Sequence, residues 1–159
     1  MSQTNLKIFD RRGRFLRYAP LILWIGVIFF FSSQQGSMSK TSIFIRPILL
    51  FLFPNAPEET LTIYHGYIRK LAHFTEYAVL AFIALRTFRS PANEFLQKHR
   101  YFVSFILVFS IASLDEFNQS FIASRTSSFW DVLLDTAGGL TVLIFVYFIK
   151  IRYNAKRTR

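Results

Sequence analysis

The sequence contains no cysteine, which excludes disulfides and thiolate chemistry. Acidic residues are scarce. Nine Asp and Glu stand against 19 Lys and Arg, for a net charge of +10. Such an excess can mark nucleic-acid binding, but here the basic residues sit in short tracts that flank apolar runs. That is the membrane pattern, so nucleic acid is not expected as a partner. There is no internal repeat and no low-complexity segment. No small-residue cleavage pattern follows the first apolar run, which is therefore expected to be a retained span and not a signal peptide. What the chain does have is apolar and aromatic surface: 52% hydrophobic residues, 18% aromatic, and 20 Phe. Its 159 residues fit one domain.

The apolar runs are short. Tyr18 to Phe31 is free of charge, and as a helix it reaches only about 21 Å. A hydrocarbon core is roughly 30 Å thick. The span is expected to continue into Ser32, Ser33, Gln34 and Gln35. Residues 36–56 then form a loop with one apolar piece, Ile43 to Phe53, expected to be re-entrant or interfacial. Pro57, Glu58 and Glu59 mark a helix start. Leu61, Tyr64, Ile68 and Leu71 recur at helical spacing, which predicts an amphipathic piece. Further spans are predicted from about Leu71 to Phe88, from Tyr101 to Leu114, and from Phe129 to Ile149. The expected fold is all-α: a polytopic bundle of about four transmembrane helices with that segment in the first outer loop. Residues 1–17 and 150–159 are basic tails around a transmembrane domain at 18–149.

The charges orient the bundle. With four spans, the two tails and the 86–100 loop share one side and hold 14 of the 19 Lys and Arg. Basic flanks favour the cytoplasm, so both termini are expected there, in a bacterial cytoplasmic membrane on the resemblance described below. Seven of the nine acids fall at or near the opposite face.

The polar residues of all four spans then gather at that outer face. The first span ends at Ser33 and Gln34. The second begins with Arg69, Lys70, His73, Glu76 and Tyr77. The third ends at Asp115, Glu116 and Gln119, and the fourth opens with Asp131 and Asp135. Arg125 lies on the loop between the last two and is the expected carboxylate partner. Ionisable groups in a span tend to face the bundle interior and to pair. His73, Glu76 and Tyr77 share one helical stripe, and Asp115/Gln119 and Asp131/Asp135 are i, i+4 pairs. Any one of these residues could serve packing or topology alone. Gly138-Gly139 reads as a close helix contact. Together, several buried carboxylates repel unless something compensates, which favours an outward polar site.

Three chemistries remain open. His73, Glu76, Asp115 and Asp131 suit a divalent metal by ligand type, although no compact ligand signature is present. His73, Glu76, Asp115, Glu116 and Asp131 are candidates for metal-free acid–base catalysis. Recognition alone is the third: Ser33, Gln34, Arg69, Lys70, Tyr77, Gln119, Arg125 and Asp135 are candidate ligand contacts, with Arg69 and Lys70 as headgroup or phosphate contacts. The accessible partners are the lipid bilayer, envelope lipids and lipid-linked cell-wall precursors. A serine nucleophile at Ser33 or Ser113 has no support from spacing.

Phe31-Ser32-Ser33-Gln34, Arg69-Lys70-x-x-His73-Phe74-x-x-Tyr77-x-x-Leu80, Asp115-Glu116-x-x-Gln119, Arg125 and Asp131-x-x-x-Asp135-x-x-Gly138 follow one another in a pattern that resembles the VanZ-like family. The family often has Asn where Asp135 stands. The resemblance implies a bacterial membrane protein in a cell-envelope context. The founding member is associated with low-level resistance to teicoplanin, a glycopeptide antibiotic. The resemblance implies such a link as a context, not as a property of this chain. It also leaves open whether the site binds an envelope ligand or acts as a membrane-embedded hydrolase or transferase.

Overall fold

A computed structural model describes residues 3–89, 93–122 and 128–157, and side-chain surroundings from Gly13 onward except at Arg14 and Gln35. Helix α1 (Gln3–Ser32) leads through a tight turn (Gln34–Gly36) into α2 (Met38–Leu52). Then come α3 (Glu58–Phe88), the short α4 (Glu94–Lys98), α5 (Arg100–Gln119) and α6 (Phe129–Arg157). No strand occurs among the described residues. Segments of α1, α3, α5 and α6 are long and apolar enough to cross a membrane, which gives the expected all-α, four-span architecture.

Local chemistry sets the helix ends. Pro57 precedes α3, and Glu58 and Glu59 occupy its first turn, where unpaired N–H groups favour negative charge. Asn93 caps α4, accepting from the Leu96 N–H at 3.1 Å. Asp131 sits in the first turn of α6, and Lys156 and Arg157 sit in its last.

The structure redraws two boundaries. The first span extends backward to Phe15 and not forward through Gln34, because the chain turns after Ser32. Phe15 and Leu16 are apolar, and the long stem of Arg17 can keep its charge near the interface. The amphipathic piece after Pro57 and the span at Leu71 form one helix of 31 residues, about 46 Å long. Only Gly66 lies between them as a weak breaker, and one glycine costs about 1 kcal/mol in a helix.

The loop at 36–56 contains α2, whose 15 residues reach about 22 Å and cannot cross a bilayer. It runs antiparallel to the first half of α3. The Thr41 hydroxyl and His65 Nε2 are 3.0 Å apart. The Arg46 guanidinium donates to both oxygens of Glu58, at 3.1 and 2.9 Å. That carboxylate raises the Arg46 pKa further above its ordinary value. Leu49 and Leu61 are buried, while Ile43, Phe44, Ile48 and Phe51 stay exposed.

The spans alternate in direction. The Thr87 hydroxyl at the end of α3 donates to the Arg17 carbonyl of α1 at 3.4 Å. The Tyr101 ring at the start of α5 meets Tyr147 near the end of α6, with centroids 5.5 Å apart. The Trp24 indole N–H of α1 donates to the Glu76 carbonyl of α3 at 3.0 Å. The polar ends of the four spans therefore share one face.

In lipid, burying apolar surface does little to drive helices together, so close packing must do it. Ala81, Ala84 and Ala112 are fully buried in the core. Gly138 lies so close to α3 that an added Cβ would overlap the Phe74 carbonyl, and a Cβ on Gly139 would stand 2.6 Å from Val108 Cγ1 of α5. The close helix contact read from the glycine pair is thus where α6 meets both α3 and α5. Large side chains such as Leu23, Phe102 and Phe145 point outward, as lipid-facing residues do.

Candidate functional site

The contact at Gly138 fixes how the polar ends meet. One turn before it on α6 lies Asp135, and one turn before that lies Asp131. Asp135 is 2% exposed, whereas the side chain of Asp131 is about a third exposed, 34%. Across from them α3 presents Arg69, Lys70 and His73, and α5 presents Glu116 and Gln119. These residues, with Gly66 and Leu134, line a cavity of about 210 Å³.

At its base three side chains converge. One ligand-type atom from each of His73, Asp115 and Asp135 lies within 4.8 Å of the other two. His73 Nδ1 is 3.9 Å from Asp135 Oδ2 and 3.9 Å from Glu76 Oε2. Asp115 is fully buried, and its Oδ2 accepts from Gln119 Nε2 at 3.2 Å. Its Oδ1 has no hydrogen-bond partner among the described residues, and neither has Asp135 Oδ1. The Tyr77 hydroxyl is buried in the same way, facing Asp115, Asp135 and Glu76. Among the described residues no Lys or Arg pairs with Asp115 or Asp135 within 4.0 Å.

The rim is better compensated. Lys70 Nζ is 3.9 Å from Asp131 Oδ1, and Asp131 also faces Arg69. Glu116 accepts from the Ser128 N–H, which ties the end of α5 to the start of α6.

With this geometry established, the chain can be set against known proteins. The VanZ/LLP1 family model matches residues 17–150. The chain belongs to the VanZ/LLP1 family. Neither the curated proteins nor the solved structures yield a match. The match of this VanZ/LLP1 chain reaches all four spans and includes every residue that lines the cavity, and with the four apolar helices it marks a membrane protein.

The VanZ/LLP1 site gathers most of the residues singled out in the sequence. His73, Asp115 and Asp135 meet at the base, with Tyr77 beside them. Arg69, Lys70, Glu116, Gln119 and Asp131 line the walls. Glu76 touches His73 but turns toward an adjoining cavity of about 290 Å³, shared with Phe31, Thr41 and Ile68. Arg69 and His73 border both cavities. Ser33 and Gln34 line neither, and the Ser33 hydroxyl donates to the Phe30 carbonyl of its own helix at 2.6 Å. Arg125 lies outside the described residues. The metal-type set that converges includes Asp135, while Glu76 and Asp131 stand apart from it. Gly66 and Leu134 also line the cavity and are not among the residues singled out in the sequence. Extending the Arg69–His73 stripe back by one turn would have found Gly66.

Proposed function

We propose that this protein binds or modifies the phosphate-bearing headgroup of an envelope lipid or lipid-linked cell-wall precursor at the outer face of a bacterial cytoplasmic membrane. One observation carries the reading: a cavity of about 210 Å³ at the polar end of the bundle, with Arg69 and Lys70 on its wall and carboxylates below. A headgroup phosphate suits the two cations. Hydroxyls or an amine suit the acids, since ionised carboxylates accept hydrogen bonds. The exposed apolar side chains of the helices suit contact with acyl or polyprenyl chains in the bilayer.

The charge distribution supports this orientation. A single cysteine at Ser39, an exposed position near the polar end, is expected to react with an impermeant reagent on intact cells. A cysteine at Gln97, exposed near the opposite end, should react only after lysis. The reverse pattern would put the cavity on the inner leaflet.

Headgroup binding has its own test. Lipids retained by protein purified in native-membrane discs would be compared among wild type, Arg69→Ala and Lys70→Ala. The wild type is expected to be enriched in a phosphate-bearing species, and each variant to lose about tenfold or more, as when a charge-assisted contact of about 1.5–3 kcal/mol is removed. Equal retention in all three would remove the cations from the reading.

A catalytic reading rests on His73, which lies 3.9 Å from both Glu76 and Asp135. Both carboxylates face the same ring nitrogen, Nδ1, so this imidazole can exchange a proton with either of them. A missing or new lipid species in a deletion strain, restored by wild type and not by His73→Ala, would favour modification over binding alone.

A further inference from the structure

We propose that His73, Asp115 and Asp135 form a site for a divalent transition-metal ion, zinc or manganese. The inference stands apart from the headgroup reading, because metal alone is the probe that tests it.

The first support is geometric. The three ligand atoms come from three different helices and lie within 4.8 Å of one another. Atoms bound about 2.0–2.2 Å from one ion can be at most about 4.4 Å apart. A contraction of a few tenths of an ångström, within the reach of side-chain torsions, would bring the set onto a common ion.

The second support is independent of that clustering. Asp135 Oδ1 and Asp115 Oδ1 are buried polar atoms without a close hydrogen-bond partner among the described residues, on residues 2% and 0% exposed, and only the Asp115 carboxyl has the Tyr77 hydroxyl directed at it. Buried polar groups are ordinarily satisfied, and an orphaned one calls for an explanation such as an ion. Two buried carboxylates with no Lys or Arg beside them also need positive charge. Gln119 Nε2 holds the other oxygen of Asp115 at 3.2 Å, the outer-shell hydrogen bond that orients a carboxylate ligand. The buried Tyr77 phenol, fully enclosed, directs its hydroxyl at Asp115 and faces Asp135, so it can orient the Asp115 carboxylate from the outer shell.

Ligand type narrows the ion. Imidazole with two carboxylates suits zinc or manganese, whereas calcium and magnesium prefer oxygen throughout. Three protein ligands leave further coordination open, as in catalytic and ligand-binding metal sites. His73 and Asp135 border the cavity, so a phosphate or water oxygen would arrive from there.

The test uses the full chain in lipid discs, stripped with chelator and titrated with Mn²⁺ or Zn²⁺. One equivalent is expected to bind. Asp115→Asn and Asp135→Asn should each weaken binding by more than about 100-fold, and Gln119→Ala by about 10–100-fold, the usual cost of losing an outer-shell partner. Elution and melting profiles identify the variants that fold. In the Mn²⁺-loaded wild type, pulsed electron paramagnetic resonance should show coupling to a histidine nitrogen that disappears in His73→Gln and persists in His99→Gln. A wild type that takes up no stoichiometric metal would overturn the proposal. So would folded variants that bind as tightly as wild type, or bound Mn²⁺ without the nitrogen coupling.

Discussion

Gly138→Ala is expected to unfold at a clearly lower temperature than wild type and to lose the cavity with it. A methyl group at this position would overlap the Phe74 carbonyl of α3. That carbonyl belongs to the helix backbone and cannot rotate away. Either α6 moves off α3 or the α3 backbone distorts. Inserting a methyl into a packed interior costs about 1–3 kcal/mol, and rigid backbone on the other side puts this case at the upper end. Gly139→Ala is the useful comparison, because its methyl would meet the Val108 side chain at 2.6 Å. Adding Val108→Ala to Gly139→Ala should recover much of the loss, while it should do nothing for Gly138→Ala. Thermal unfolding of the four variants in one lipid mixture checks the pattern. An unchanged melting temperature for Gly138→Ala would mean the two helices do not meet as described. The functional consequence follows from position: Asp135 lies one turn before Gly138, so the spacing of α3 and α6 sets the distance from His73 to Asp135.

Asp135→Asn should act in the opposite direction. In chelator, this variant is expected to melt higher than wild type, by about 2–8 °C for a gain of about 1–2 kcal/mol in a domain of this size. Asp135 and Asp115 are both buried, and no Lys or Arg pairs with either within 4.0 Å among the described residues. Each therefore raises the cost of the other. Asparagine keeps the shape and removes the charge. A residue retained against stability is typical of functional sites, where activity is bought with strain or repulsion. Were Asp135 structural instead, paired through His73, removing its charge would cost about 3–5 kcal/mol, as when one partner of a buried pair is deleted. The sign of the change separates the two cases. Asp131→Asn should shift little, because Asp131 is partly exposed and its cation, Lys70, is more exposed still.

The architecture was legible because two independent patterns in the sequence agreed. Basic tracts marked three segments as one side, and polar residues marked the other end of every span. The structure brings those polar ends to one face. The glycine pair was legible as a contact for a simple reason: in lipid only small residues let helix backbones approach this closely.

What could not be read was depth and azimuth within the site. Asp131 and Asp135 differ by four residues, about 40° around the helix and about 6 Å along it. Both fit a stripe, yet one lies at the rim and the other at the base beside His73. The difference is set by where Gly138 locks α6 to α3, which no single helix reveals. His73 and Glu76 are three residues apart, about 60° short of a full turn, so His73 borders both cavities while Glu76 lines only the adjoining one. Ser33 and Gln34 read as site residues because the charge-free run from Tyr18 to Phe31 is too short to span without an extension. The span gained its length at Phe15 instead, and α1 ended before reaching the cavity. The α2 helix was legible only as an apolar piece too short to cross. Its pairing with α3 depends on Thr41, Arg46, Glu58 and His65, whose partnership is tertiary.

The most direct measurement is to locate where a phosphate headgroup contacts the wild-type protein. A phospholipid carrying a photoactivatable group on its headgroup would be incorporated into discs, activated, and its adducts mapped by mass spectrometry. Adducts are expected on the α3 segment from Gly66 to His73 and the α6 segment from Asp131 to Asp135, two of the three helices that wall the cavity. They should fall when Arg69 and Lys70 are both replaced by alanine. Adducts spread over the lipid-facing rings, such as Phe102 and Phe145, with none on those two segments, would contradict an outward headgroup site.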